Sequence, residues 1–427
     1  MEPEGAAAGA LGLRVPIPLW LLCSLLLTEQ LLPSVPFYAG LAPSMALGMV
    51  IAAGLCILSL LICWSIQARA IGRSLLDAKA NGLMLIGTVV IAAILHGAVA
   101  DQLQGVDMGR FVASLIPLVL LLGGGLALGT AIRNASEKSL ARALRLSFGI
   151  LCIVGFFGAV GLQPPHFGRF PKSTFPFSET SHFVLAFAPI YLYMCCTARP
   201  RRRDLWLLLG FALTVVLKSA TFLAVAFVAA LICRRFFIVL VSVLLIAAVG
   251  LAVRFEYFTS RVSLSNDSTN LSALVYLEGW EMLDDSLATS HGWGVGFEQL
   301  GVRGSNVPAA EAIRGLTEGQ DLNLKDGSFV LAKLGSEFGG AGLLLVAGYV
   351  WLALKCLRAL KSGRGSLNEQ FARSVILAYS VDMFVRGTGY FSQSTLLFVA
   401  ACLALAPAGG LLALGGGEGS RRLLVLR

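Results

Sequence analysis

The sequence predicts an all-α fold, a polytopic transmembrane helical bundle of about twelve spans, and three observations predict it. Hydrophobic residues make up 57% of 427 positions and charged residues 13%, with a mean hydropathy of +0.80, which a soluble domain of this length does not reach. The apolar residues come in continuous runs of about 20, the length that crosses a bilayer as a helix. They lack the period-two alternation of a membrane barrel, and in lipid only helices and closed barrels satisfy their own backbone. Lys and Arg concentrate in every second loop, as the positive-inside rule requires.

In chain order, spans are expected near 16–34, 41–66, 82–100, 111–132, 144–161, 181–198, 205–217, 219–233, 236–253, 327–354, 371–385 and 394–414. This divides the chain into N-terminal transmembrane helices (1–161), a first outer loop (162–180), further helices (181–253), a large outer loop (254–326), and C-terminal helices with an inner tail (327–427). Residues 205–233 are too many for one ordinary helix and few for two. Lys218-Ser219 predicts a tight turn between two short tilted helices, the alternative being one long tilted helix. Residues 1–15 carry no charged n-region followed by a cleavage site, so the first span is expected to stay as an anchor.

With both ends inside, all but eleven of the 33 Lys and Arg fall in inner loops. The net charge of +9 is then mainly topological, and nucleic acid is not an expected partner, because the basic clusters lie at membrane boundaries without interleaved aromatics. The eleven outer exceptions are Arg110, Arg169, Lys172, Lys218, Arg254, Arg261, Arg303, Arg314, Lys325, Lys333 and Arg386. A lipid diphosphate at the outer headgroup level would give them a reason, since arginine grips such groups through paired hydrogen bonds. Snorkelling to ordinary phospholipid is the plainer one. All nine cysteines lie in or at the ends of apolar spans and read as small buried hydrophobes, with neither a disulfide framework nor a metal site indicated.

Two outer loops are long enough to build a site, and long loops of this kind usually carry function. The first ends in Ser178-Glu179-Thr180-Ser181-His182-Phe183 as the next helix begins. In the second, Asn270 to Glu281 (NLSALVYLEGWE) has helical spacing, with Leu271, Leu274, Val275 and Trp280 as its apolar positions. Gly292 to Phe297 (GWGVGF) is a glycine-rich turn that matches no phosphate-binding fingerprint, and Asn323 to Phe329 (NLKDGSF) leads back into the membrane.

Four stretches carry a resemblance: SETSHFVLAFAP (178–189), NLSALVYLEGWE with GWGVGFEQLG (270–301), NLKDGSFVLAKLGSEFGGAG (323–342) and FVRGTGYF (384–391). Together they resemble a bacterial O-antigen polymerase of the Wzy type, of the O-antigen ligase/polymerase superfamily. The likeness covers roughly 165–400, and the first five spans match only as generic hydrophobic helices. Where the commoner form of the first motif has proline, this chain has Thr180, a residue able to cap a helix.

The resemblance implies a C-type glycosyltransferase (GT-C) architecture in a Gram-negative inner membrane, with the active site facing the periplasm. It implies transfer of a growing glycan from undecaprenyl diphosphate to the next lipid-linked repeat unit. The implied partners are those lipid-linked oligosaccharides, membrane lipids and a polysaccharide chain-length regulator. No nucleotide sugar or other cofactor is needed, in keeping with the lack of a Rossmann-like segment, and no Asp-x-Asp motif suggests a divalent metal.

The residues permit this chemistry in their own right. Charge that builds on a diphosphate leaving group is stabilised by preorganised cations, for which Arg169, Lys218, Arg254, Arg261 and Arg386 are the candidates. Arg386 is favoured because it sits between a span and a glycine turn, where a compact backbone lets a phosphate approach. Glu179 and His182, three apart at a helix start, face similar sides of the first turn and are candidate bases for the acceptor hydroxyl. Favourable interaction with the helix terminus is the plainer reading of Glu179. His291, beside the glycine turn, is a further candidate base, the alternative being a solvated loop histidine. Lys333 and Glu337 are expected to pair with each other, Asp326 to cap the re-entering helix, and Asp284 and Asp285 to be solvated loop charges. His96 and Asp101 fit a proton path in a transporter, but no repeat relates 1–210 to 211–427, as a flippase predicts. An O-antigen ligase, delivering polymer to lipid A core, is the closer alternative.

Overall fold

The computed structural model describes residues 17–67, 74–162, 173–233 and 265–406. Among them are fourteen helices and no strand: α1 (Leu19–Leu31), α2 (Ser34–Tyr38), α3 (Ala46–Gln67), α4 (Ser74–Gln104), α5 (Met108–Asn134), α6 (Glu137–Ala159), α7 (Thr180–Thr197), α8 (Pro200–Val216), α9 (Ala220–Cys233), α10 (Leu271–Thr289), α11 (Pro308–Leu316), α12 (Val330–Lys361), α13 (Leu367–Phe384) and α14 (Gln393–Leu405). Seven helical stretches are long and apolar enough to cross a membrane: α1 with α2, then α3 to α7, and α12. Two more, α9 and α14, are apolar but shorter. The span expected at 236–253 lies outside the described residues.

Local chemistry sets the boundaries. Asp107, Ser136, Asn270, Ser366 and Ser392 each stand at an N-cap and accept a hydrogen bond from a backbone N–H in the first turn, satisfying one of the donors a helix start leaves open. Lys218 adopts a left-handed backbone (φ 47°) between α8 and α9, so residues 205–233 form two helices joined by a tight turn. The first span is broken at Pro33, where α1 gives way to α2.

The core lies along α7, α13 and α14. A stack of Phe148, Phe187, Tyr191 and Phe222 joins α6, α7 and α9, with ring centroids 5.3–5.9 Å apart. On α5, Gly124 backs onto Ala53 of α3 and Gly129 onto the Ala400 carbonyl of α14, where a Cβ would come within 2.6 and 2.5 Å. Such small-residue contacts let helices approach where lipid supplies no hydrophobic drive between them. The outward faces are apolar, as on α12, where Leu344, Leu345 and Trp351 are exposed.

The arginine-rich turns gather at one end of the bundle. Asn368 donates to the carbonyls of Ile132 and Ala135, and Arg133 donates to that of Ala406. At the other end the 101–110 turn meets the large loop through Arg110 and Glu298, and through Arg303 and the Gly105 carbonyl. The two sets of loops that charge separates in the sequence are thus separated in space.

Candidate functional site

Three of the four motif stretches converge at the end opposite the arginine-rich turns. FVRGTGYF leaves α13 and packs on NLKDGSF, where the Gly387 N–H donates to the Ser328 carbonyl (2.8 Å). A Cβ on Gly387 would come within 2.9 Å of the Phe329 Cα, so glycine is required there for the two loops to touch. Asp326 faces Gly389 across the same contact. It does not cap α12, whose N-cap is Phe329 without a side-chain bond. NLKDGSF is pinned to α10 by the Ser328 hydroxyl, which donates to the Val275 carbonyl, and by Phe329, which lies 4.9 and 5.1 Å from the Tyr276 and Trp280 rings.

SETSHF joins this junction through an ion pair. Arg386 Nη2 lies 3.1 and 3.3 Å from the two carboxylate oxygens of Glu179, which also accepts from the Ser181 hydroxyl at 2.9 Å. The Arg386 side chain is 17% exposed and that of Glu179 is 49% exposed, so the pair lies at the rim of the site with the carboxylate toward solvent. Partial burial pushes the Glu179 carboxyl up, but Arg386, His182 and Ser181 outweigh it and hold the group at about 2. His182, one turn into α7, is buried; its Nδ1 is 3.0 Å from the Ser178 hydroxyl, and it lies within electrostatic reach of both Glu179 and Arg386. Glu179 is the N-cap of α7 and makes no side-chain cap bond. Thr180 is the first helical residue and not the cap, and that position suits proline because its N–H needs no helical partner.

The fourth stretch, GWGVGF, docks beside this junction in a kink of α12. Gly339 breaks the helix (φ 56°, ψ −133°), and the exposed carbonyls of Ser336 and Glu337 accept from Val295 N and Gly296 N. His96 of α4 holds the turn from the side, with Nε2 3.1 Å from the Trp293 carbonyl and its ring stacked on Trp293 at 5.3 Å. Asp101 accepts from Val106 N. The two residues that would fit a transporter's proton path are thus engaged in holding loops.

Beneath the turn lies a buried charge cluster. Lys333 (1% exposed) is 3.0 Å from Glu298 and 3.6 Å from Glu337, and donates to the Lys325 carbonyl at 2.6 Å. Glu298 also binds Arg110 at 3.0 Å. The expected Lys333–Glu337 pair is present, but as part of a larger network. Tyr390 of FVRGTGYF stacks on Phe297 and carries the Lys333 ammonium 4.9 Å above its ring. The Tyr390 hydroxyl and Glu337 Oε2 are buried near one another, with no bond of good geometry to any described residue.

Of the remaining candidates, His291 is exposed at a left-handed turn position (φ 53°) next to GWGVGF. Lys218 is exposed on the α8–α9 turn, at the same end as the start of α7. Arg169, Arg254 and Arg261 lie outside the described residues. Arg110, Arg303, Arg314 and Lys333, counted among the outer cations, are engaged by Glu298, the Gln104 and Gly105 carbonyls, Asp321 and the buried cluster. Asp284 and Asp285 are solvated as expected, but on helix α10. Of its expected apolar face, Leu274 and Val275 are buried while Leu271 and Trp280 are partly exposed.

Sequence reasoning passed over Glu298, Glu278, Glu29 and Asp382, all buried. A carboxylate inside an apolar span is the signal for Glu29 and Asp382; Glu298 and Glu278 sit within the quoted motifs, with nothing local to mark them. In α10 burial, with Asp321 and Glu281 adding to it against Arg314, pushes Glu278 up to about 8.

No protein-family model matches this chain, and no characterised protein matches it.

Proposed function

We propose that this protein is a polymerase of lipid-linked oligosaccharide repeat units, acting at the periplasmic face of a Gram-negative inner membrane on a twelve-span, GT-C-type bundle. The observation that supports this best is the Arg386–Glu179 pair, with His182 beside it, at the junction of the three motif stretches. The anomeric C–O bond of the donor breaks, and its electron pair leaves with undecaprenyl diphosphate. The acceptor hydroxyl oxygen of the next repeat unit bonds to that carbon, and its proton passes to a protein base.

In this reading the donor diphosphate takes Arg386, whose planar fork matches phosphate oxygens. While the ion pair is intact, Glu179 is too weak a base to accept a proton well. Once the diphosphate draws the guanidinium away, the Glu179 carboxyl returns toward its ordinary range, so donor binding itself readies the base. His182, with its ring held by Ser178, orients Glu179 or relays the proton. Lys218, at the same end of the bundle, remains a candidate for the diphosphate, as do Arg169, Arg254 and Arg261, which lie outside the described residues; His291 remains a candidate base. The substrates are the lipid-linked repeat units; the partners are membrane lipids and a chain-length regulator, and no cofactor is required.

The test is turnover by purified protein in nanodiscs with a synthetic lipid-diphosphate repeat unit and no lipid A. A ladder of lipid-linked oligomers is expected. Polymer appearing only on added lipid A core would make the protein a ligase, and labelled lipid crossing the bilayer without either product would make it a flippase.

A further inference from the structure

At the opposite end of the bundle, α6, α7, α8 and the start of α13 line an open cavity of about 460 Å³, within the ~300–1,000 Å³ typical of small-ligand sites. Its wall carries Arg145, Arg199 and Arg202, with Tyr193, Trp206 and Leu367 as its aromatic and apolar lining. Positive-inside topology accounts for arginines at this end, but not for three of them around one cavity with no carboxylate partner among the described residues. Neighbours on the same face are engaged: Arg133 and Arg203 donate to backbone carbonyls and Arg373 pairs with Glu369. Among the described residues no carboxylate lies within ion-pair distance of Arg145, Arg199 or Arg202.

The two helices that carry Arg145 and Arg202 also present exposed apolar side chains further toward the membrane centre. On α6, directly after Arg145, Leu146, Ile150 and Ile153 are 54%, 38% and 57% exposed; on α8, after Arg202, Leu205 and Leu208 are 64% and 49% exposed. An arginine-lined cavity on helices whose membrane-ward lengths expose apolar side chains suits an amphiphile, whose phosphate would take the cavity while its acyl chains stay in the lipid. Basic pockets between transmembrane helices at the cytoplasmic side recognise anionic lipid headgroups in this way, and guanidinium groups bind phosphate bidentately. We infer that Arg145, Arg199 and Arg202 form a binding site for the phosphate headgroup of an anionic phospholipid of the inner leaflet, separate from the Arg386 junction.

The test is the thermal midpoint of the full-length protein in neutral detergent, titrated with phosphatidylglycerol, with phosphatidylcholine, and with glycerol 3-phosphate as a soluble source of the same group. Phosphatidylglycerol is expected to raise the midpoint and the other two to leave it unchanged. Arg145→Gln/Arg199→Gln/Arg202→Gln should weaken half-saturation at least about tenfold. Arg142→Gln/Arg201→Gln/Arg358→Gln removes the same charge from the same face outside the cavity and should keep it. The triple lysine variant retains charge and guards against misfolding; it should bind more weakly than wild type because the forked contacts are lost. Equal loss in the control triple, or unchanged binding in both cavity variants, would reduce the effect to general surface charge and overturn the site. A shift with glycerol 3-phosphate equal to that with phosphatidylglycerol would overturn the lipid assignment in favour of a soluble anion.

Discussion

Arg386 and Glu179 stand 207 residues apart in the chain, yet their charged ends meet at 3.1 Å. Glu179 is held at about 2, below its ordinary 4.5. A carboxylate depressed by folding contributes stability that is complete above its unfolded value and fades as pH falls toward the folded one. The difference in thermal midpoint between wild type and Glu179→Gln is therefore expected to stay constant from pH 7 to 5 and to narrow below pH 4.5; a constant difference down to pH 3 would mean the pair adds nothing. Glu278 predicts the reverse sense. Its raised value of about 8 makes wild type lose stability as pH rises from 4.5 through 8, and Glu278→Gln should remove that slope. At this scale the sequence marked Glu179, His182 and Arg386 through their motifs, and the structure brings them together. It could not mark their pairing, because a contact across 207 residues has no local signature. Nor did it show that Arg110 and Lys333 are occupied by Glu298, which looks like any loop glutamate until the turn docks.

The element that organises the motif-bearing end is α12, whose kink at Gly339 admits the GWGVGF turn. A Cβ there would come within 2.0 Å of the Gly292 carbonyl oxygen, and its φ of 56° with ψ −133° is strained for any side chain. Gly339→Ala should cost more than about 2 kcal/mol, read as faster proteolysis of the large loop. Lys333 secures the same turn from below. Lys333→Met leaves Glu298 and Glu337 buried with less compensation and should cost about 3–5 kcal/mol in denaturation. Adding Glu337→Gln, which keeps Arg110–Glu298, should recover most of that loss; no recovery would show that the buried charge is not the cause. The long apolar helices were legible from hydropathy and Lys218-Ser219 announced the α8–α9 turn, whereas α11, short and within the large loop, was not anticipated. The kink was not legible, since Gly339-Gly340 inside an apolar run reads equally as a packing contact. The α10 helix was read short, at Glu281 and not Thr289, because the acidic Asp284-Asp285 pair has the look of solvated loop.

For the whole molecule, the clustering of arginine-rich turns at one end and of the motif stretches at the other fits the sidedness that charge predicts. In a cysteine-free background, Lys325→Cys should react with an impermeant maleimide added to intact inner-membrane spheroplasts, and Arg364→Cys only after lysis; the opposite pattern would invert the protein and move the candidate site to the cytoplasm. Single-turnover transfer from a synthetic undecaprenyl-diphosphate repeat unit reads what the Arg386 junction does to a lipid diphosphate. With wild type, Arg386→Lys, Arg386→Ala and Glu179→Gln compared in nanodiscs, wild type is expected to transfer, lysine to lose part of the activity, and Arg386→Ala and Glu179→Gln to lose about 10²–10³-fold or more. Transfer at the wild-type rate by Arg386→Ala and Glu179→Gln would contradict a role for this junction, placing the chemistry elsewhere in the protein.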